Sequence, residues 1–177
     1  PGLLEALGRL AAQPAPHGVP PEAWPPRVCL VGASPDDSAA LSRAALRAGV
    51  ADLLVYAPAL PDDRLAGLVA GARVVLQPVR AELAGLSALE SLAAGVPVVA
   101  SAVGTLPEIV GPAGILVEPG DPGRLAAAIA AAWSDADPYP GIAAAARQRA
   151  EHRRTWADVA RETRAAWADV ARPASLL

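Results

Sequence analysis

The residues best suited to chemistry lie in one short segment that follows an apolar run of the chain. Glu82 precedes a glycine, Gly85, and a second carboxylate, Glu90, follows it. A glycine lets a ligand approach the backbone, and the amides of Leu86 and Ser87 can hold a phosphate if a helix begins there. Carboxylates accept hydrogen bonds from vicinal hydroxyls. Glu82 and Glu90 could therefore grip two sugars on either side of a diphosphate.

The same spacing has a plainer interpretation, in which Glu82 is a solvated loop residue and Glu90 an ordinary helix residue. A second segment, 101–108, also joins an apolar run to a short helical turn, and Gly104 and the Thr105 amide could meet a sugar or phosphate. By itself this segment is equally a simple turn, with Glu108 stabilising a helix start. It gains interest only if the fold brings it beside the first segment.

The elements that must position these residues follow from hydrophobic periodicity and from Gly and Pro breaks. Short apolar runs alternate with helical patterns, and this alternation predicts a parallel sheet whose ligands bind beyond the carboxyl ends of its strands. The fold class is therefore α/β, a Rossmann-like three-layer αβα arrangement with a mainly parallel sheet. The predicted strands are 27–32, 53–56, 74–77, 96–100 and 115–117. The predicted helices are 3–10, a helix opening at 34–37, 62–70, 86–94, 121–133, 142–152 and 156–171.

Length and composition indicate one domain over residues 1–177, since 177 residues with 53% hydrophobic content can build a core. Its most variable part should be the Pro-rich loop 14–26. Terminal helices should occupy 142–177, with Val159, Trp167 and Val170 on the buried face of the last one.

The net charge of −3 does not indicate the excess of basic residues that nucleic-acid binding proteins use to contact phosphates. No apolar stretch is long enough for a transmembrane segment, and no signal peptide is evident. The single cysteine, Cys29, is expected to be a structural residue of a cytoplasmic protein. No metal site is expected, because no Asp-x-Asp motif is present and the two histidines lack partners at metal-ligand spacing. Because the sequence begins Pro1-Gly2 and has no Met, we expect a longer gene product.

Five segments in order resemble the retaining GT-B glycosyltransferases of the group 1 family. They are 3–7, 82–90 with its Glu-x7-Glu spacing, 94–101, 104–110 and 114–122. The resemblance implies one half of a GT-B fold, a C-terminal domain that binds a nucleotide-sugar donor as substrate, with no further cofactor. By position, Glu82 would be the catalytic residue that contacts the transferred sugar, and Glu90 would hold the ribose. Donor contacts would come from the residues around them: Gly85, Leu86, Ser87, Gly104 and Thr105, with the base near 56–60.

The chain departs from the family pattern at several positions. Leu83-Ala84 stand where Gly and an aromatic residue are usual, Pro58-Ala59 replace a common Gly-Arg pair, and Ala102 stands in place of Asp. The resemblance places the family's diphosphate-binding Arg and Lys before the first helix, upstream of Pro1, and implies that the N-terminal acceptor domain is absent from this sequence. The resemblance therefore implies a piece that is inactive alone and binds donor weakly.

Two other functions use the same scaffold. One is a non-catalytic Rossmann-like binding module, because fold does not fix function. The other is a GT-B relative such as a sugar-nucleotide epimerase or a phosphorylase. In the family the last helix often crosses to the N-terminal domain, so an exposed face around Trp156 and Trp167 could make the piece self-associate.

Overall fold

Five short parallel strands alternate with helices in the structure, a computed structural model that describes residues 2–152 and 154–171. The strands are β1 (Val28–Val31), β2 (Leu54–Ala57), β3 (Val75–Gln77), β4 (Val98–Ser101) and β5 (Gly114–Val117). The α-helices are α1 (Gly2–Ala11), α2 (Pro35–Arg47), α3 (Asp62–Ala70), α4 (Leu86–Ala93), α5 (Leu106–Val110), α6 (Pro122–Trp133), α7 (Tyr139–Glu151) and α8 (Trp156–Ala171). The predicted α/β class is confirmed.

The strands form two parallel sheets. β1 pairs with β2, with Val28 opposite Leu54, and β4 lies between β3 and β5, with Val98 opposite both Val75 and Gly114. Within the described ranges no backbone hydrogen bonds pair β1 with β3. The predicted parallel pairing of strands is therefore present, but in two sheets and not in one.

A hydrophobic cluster contacts both sheets, and a second cluster lies between β4, α4 and α5. On α1, Leu4, Leu7 and Leu10 are buried in a cluster that also holds Leu54 of β2 and Val99 of β4. Helix α6 completes the same layer through its buried residues Leu125, Ala126, Ala128, Ile129 and Ala132. Burying a leucine or isoleucine side chain stabilises a fold by about 1.5–3 kcal/mol. Helix α1 therefore ties the two sheets together.

Local signals set the helix ends. The Ser34 hydroxyl accepts the Asp37 amide at 3.1 Å and Pro35 occupies the first turn of α2, as the sequence predicts. At the end of α4, Gly95 has a φ of 75°, and the Val96 amide donates back to the Ser91 carbonyl at 3.0 Å. This is a Schellman closure, and it commits Val96 to the helix end. Strand β4 consequently begins at Val98 and not at 96 as predicted.

One expectation about burial is wrong. Val159, Trp167 and Val170 of α8, predicted to be buried, are 37%, 69% and 87% exposed, because no other described element covers this face. Cys29, expected to be a structural residue, is exposed, because burial alternates along β1 and Cys29 points outward. Residues 172–177 of the predicted terminal-helix region lie outside the described residues. No helix in the described ranges is long and apolar enough to cross a membrane.

Candidate functional site

The first predicted segment is organised by its own carboxylate. Glu82 Oε1 accepts the backbone N–H groups of Leu83, Ala84 and Gly85 at 2.9, 3.0 and 2.9 Å. Glu82 Oε2 accepts from Gln77 Nε2 at 2.8 Å. The Gly85 amide, followed by the other loop amides and Gln77, lowers the pKa of Glu82 below its ordinary value, against an opposing effect of desolvation. The carboxylate is therefore ionised at neutral pH and holds the loop in a tight turn.

Gly85 allows this turn to lead directly into α4. Its φ is 62°, and a Cβ at this position would lie 2.4 Å from Ile109 Cδ1. The first three amides of an α-helix have no partner within the helix. In α4 these belong to Leu86, Ser87 and Ala88, and none has an acceptor in the described part of the chain. They form an N-terminus suited to an anion such as phosphate.

The two predicted segments contact each other directly. A Cβ on Gly104, whose φ is 54°, would lie 1.9 Å from the Glu82 carbonyl oxygen, so only a glycine fits there. The Thr105 hydroxyl donates to the Leu83 carbonyl at 3.2 Å. The second segment is therefore more than a simple turn, because its backbone packs against the Glu82 loop at the carboxyl ends of β3 and β4.

Glu90 is exposed on α4, three residues after Ser87 and four after Leu86. Residues at these spacings share one face of a helix. Leu86 is also exposed, whereas Ala88, Ser91 and Leu92 form the buried face. Glu90 thus lies on the solvent side of α4, one turn from its free amides, and its carboxylate is open to a ligand.

A cleft of ≈ 410 Å³ opens at the carboxyl ends of β1 and β2. Its lining includes Gly32, Ser34, Tyr56 and Pro58. The Tyr56 hydroxyl is buried and has no hydrogen-bond partner among the described residues. This cleft coincides with the 56–60 segment where the resemblance places the base.

The structure thus brings the seven predicted site residues together on α4 and on the loops that follow β3 and β4, with Glu90 one turn along the helix face that carries Leu86 and Ser87. The resemblance implies that Gly85 contacts the donor, but in the structure the Gly85 amide donates its hydrogen bond to Glu82 Oε1. Sequence reasoning did not identify Gln77 as a site residue. The signal that could have identified it is its position, since it is a polar residue at the end of an apolar strand. In the described ranges, no group of three or more His, Cys, Asp or Glu side chains could hold a metal ion.

Solved structures share this fold. The chain aligns over 95% of its length with 44% of the Anabaena protein HepE, solved in complex with UDP, at a TM-score of 0.75 and 24% identity. It aligns over 96% of its length with 42% of sucrose-phosphate synthase from Thermosynechococcus elongatus, at a TM-score of 0.73 and 25% identity. The fold is the Rossmann-like one that forms half of a GT-B glycosyltransferase.

The family model described as glycosyl transferases group 1 matches residues 3–135, and the chain belongs to this family. It is 44% identical over 110 residues to D-inositol 3-phosphate glycosyltransferase of Acidothermus cellulolyticus, which covers 58% of this chain and 24% of that protein. It is 36% identical over 118 residues to MMP alpha-(1->4)-mannosyltransferase of Mycolicibacterium hassiacum, which covers 65% of this chain and 29% of that protein. The chain therefore spans less than a third of these curated relatives.

Proposed function

We propose that this chain is the donor-binding domain of a glycosyltransferase that moves a sugar from a nucleotide-sugar to an acceptor with retention of configuration. The observation that carries the proposal is the row of unpartnered amides at the start of α4, fixed between the Glu82 loop and Gly104 and followed by the open carboxylate of Glu90. This arrangement matches a diphosphate followed by a hydroxylated ring. UDP complexes of a protein with the same fold support it.

Each group then has a role in donor binding. The amides of Leu86 and Ser87 hold the diphosphate, and Glu90 accepts hydrogen bonds from the ribose hydroxyls. The nucleobase occupies the cleft beside Tyr56. Glu82 borders the transferred sugar. Because its Oε1 accepts the hydrogen bonds of the loop amides, a sugar hydroxyl would donate to Oε2.

In this proposal, catalysis requires groups from the whole protein and not from this chain alone. Departure of the diphosphate requires positive charge, and preorganised charge is the main source of rate in such transfers. Arg80 is the one basic residue between β3 and α4, and it is exposed. We propose that an upstream segment and an N-terminal acceptor domain supply the remaining groups, so that this chain alone binds donor without turnover. A cytoplasmic location stays a prediction.

The test is calorimetric titration of the chain with UDP-, GDP- and ADP-sugars, using native protein and Glu90→Ala. We expect one nucleotide class to bind and the substitution to weaken it about tenfold, since a hydrogen bond to a charged group is lost. Glu151→Ala is the matched control, because Glu151 is also an exposed helix glutamate, on α7. Equal affinity of native protein and Glu90→Ala would refute the ribose role.

Product analysis with the full-length enzyme separates transfer from the other candidate reactions. A glycosylated acceptor with the anomeric configuration of the donor supports the proposal. An epimerised sugar-nucleotide or a sugar phosphate would instead identify an epimerase or a phosphorylase.

A further inference from the structure

Gln77, the last residue of β3, places a buried amide beside the candidate site. It is 8% exposed and follows two apolar strand residues, Val75 and Leu76. Its Nε2 donates to Glu82 Oε2 at 2.8 Å. Because an ionised carboxylate can only accept, the nitrogen of the amide must face Glu82, which directs Oε1 elsewhere.

The other end of this amide is unsatisfied. Gln77 Oε1 is buried and has no hydrogen-bond partner among the described residues. A buried acceptor without a partner opposes folding. An apolar side chain of the same length would fill this position without that penalty, so the polar end of Gln77 is of use to the site and not to the stability of the fold.

We infer that Gln77 is a positioning residue, whose amide fixes the orientation of the Glu82 carboxylate and thereby the loop against which the donor binds. With Oε2 held by Gln77, Oε1 is directed at the amides of Leu83, Ala84 and Gly85. The Glu82 backbone in turn lies against Gly104. The end of β3 is therefore coupled to both loops of the site.

Nearby ionisable groups do not substitute for this contact. Arg80 is the basic residue on the same loop, and in the described part of the chain it forms no ion pair with Glu82. The charged residues of α4 and α5, Glu90 and Glu108, are acidic and cannot pair with it. The surroundings of the carboxylate are thus set by the loop amides and by Gln77.

The first test follows the backbone amide NMR signals of Leu83, Ala84 and Gly85 against pH in native protein and in Gln77→Met. These signals report protonation of Glu82. We expect their common midpoint to rise in Gln77→Met, because a hydrogen bond to the charged form is lost, and to rise further in Gln77→Glu, where two carboxylates share the site. An unchanged midpoint in Gln77→Met would overturn the inference.

Stability separates positioning from a structural role. We expect the free energy of unfolding of Gln77→Met to stay close to the native value, because loss of the hydrogen bond to Glu82 is offset by removal of the unsatisfied oxygen. A Gln77→Met variant that fails to fold would contradict this, and Gln77→Ala, which also removes the amide, then carries the midpoint test. Gln148→Met makes the same change at an exposed position of α7 and should alter neither quantity.

The consequence for binding rests on the proposed function. Among the UDP-, GDP- and ADP-sugars, the ligand that native protein binds should bind Gln77→Met about tenfold more weakly, while Gln148→Met binds it normally. Equal affinity of Gln77→Met and native protein would overturn the link to the donor. If native protein binds none of these ligands but the amide midpoint still depends on Gln77, the proposed function fails and the positioning role stands.

Discussion

At the residue scale, Glu82 acts through its charge on four donors at once. Three are backbone N–H groups and the fourth is the Gln77 amide. Such a carboxylate is a strong acceptor, and hydrogen bonds to charged groups are stronger than those between neutral groups. The sequence indicated that Glu82 belongs to the site, but its hydrogen-bond partners depend on the turn geometry that Gly85 permits, which spacing alone does not specify.

The lowered pKa of Glu82 gives a pH dependence of donor affinity. Because the folded-state pKa lies below that of an ordinary glutamate, the stabilisation of the loop is fully present above about pH 4.3 and is lost as pH falls through the lowered value. Calorimetry across a pH series should therefore show constant affinity down to about pH 5 and a decline only in stronger acid. In Glu82→Gln the part of this decline that Glu82 contributes should disappear. A decline centred above the ordinary glutamate pKa would contradict this account.

At the element scale, two loops at the carboxyl ends of β3 and β4 form one unit. Alternation and the rule that ligands bind at strand ends predicted both loops. Their direct contact was not predictable, because it depends on the register of β3 with β4, where Gln77 lies opposite Ala100.

The boundaries of helices and strands were the weaker part of the prediction. Helix α7 begins at Tyr139 and not at 142, because the Ile142 amide already donates to the Pro138 carbonyl.

Gly104→Ala tests the contact between these loops. Both Gly104 and Gly49 have a left-handed backbone, with φ of 54° and 68°, but a Cβ meets the Glu82 carbonyl oxygen in the first case and open space in the second. Chemical denaturation should show Gly49→Ala losing about 1–2 kcal/mol from backbone strain alone. Gly104→Ala should lose more and should also weaken donor binding. Equal losses in the two variants would show that the loops are not in close contact.

At the scale of the whole molecule, two sheets share a hydrophobic cluster and the helix α8 remains largely uncovered. Periodicity correctly predicted that α8 is an amphipathic helix, and wrongly predicted that its apolar face is buried. Amphipathic spacing shows which residues share a face, but not what covers that face. Trp156 and Val170 are 85% and 87% exposed, and an apolar surface of this kind is typical of an interaction site.

We predict that the chain self-associates through this face of α8. Sedimentation velocity at increasing protein concentration should show species heavier than a monomer, and Trp167→Gln should reduce them. Leu46→Gln is the matched control, because Leu46 and Trp167 are each 69% exposed but Leu46 lies on α2. A monomer at every concentration would refute the prediction.

The central claim is that the start of α4 binds the diphosphate of a nucleotide-sugar. It is tested most directly by two-dimensional amide NMR of the chain during titration with the UDP-, GDP- and ADP-sugars. The account predicts that the largest shift changes fall on the Leu86, Ser87 and Ala88 amides, with smaller ones around Tyr56. Saturable binding that leaves the Leu86, Ser87 and Ala88 signals unmoved would contradict it.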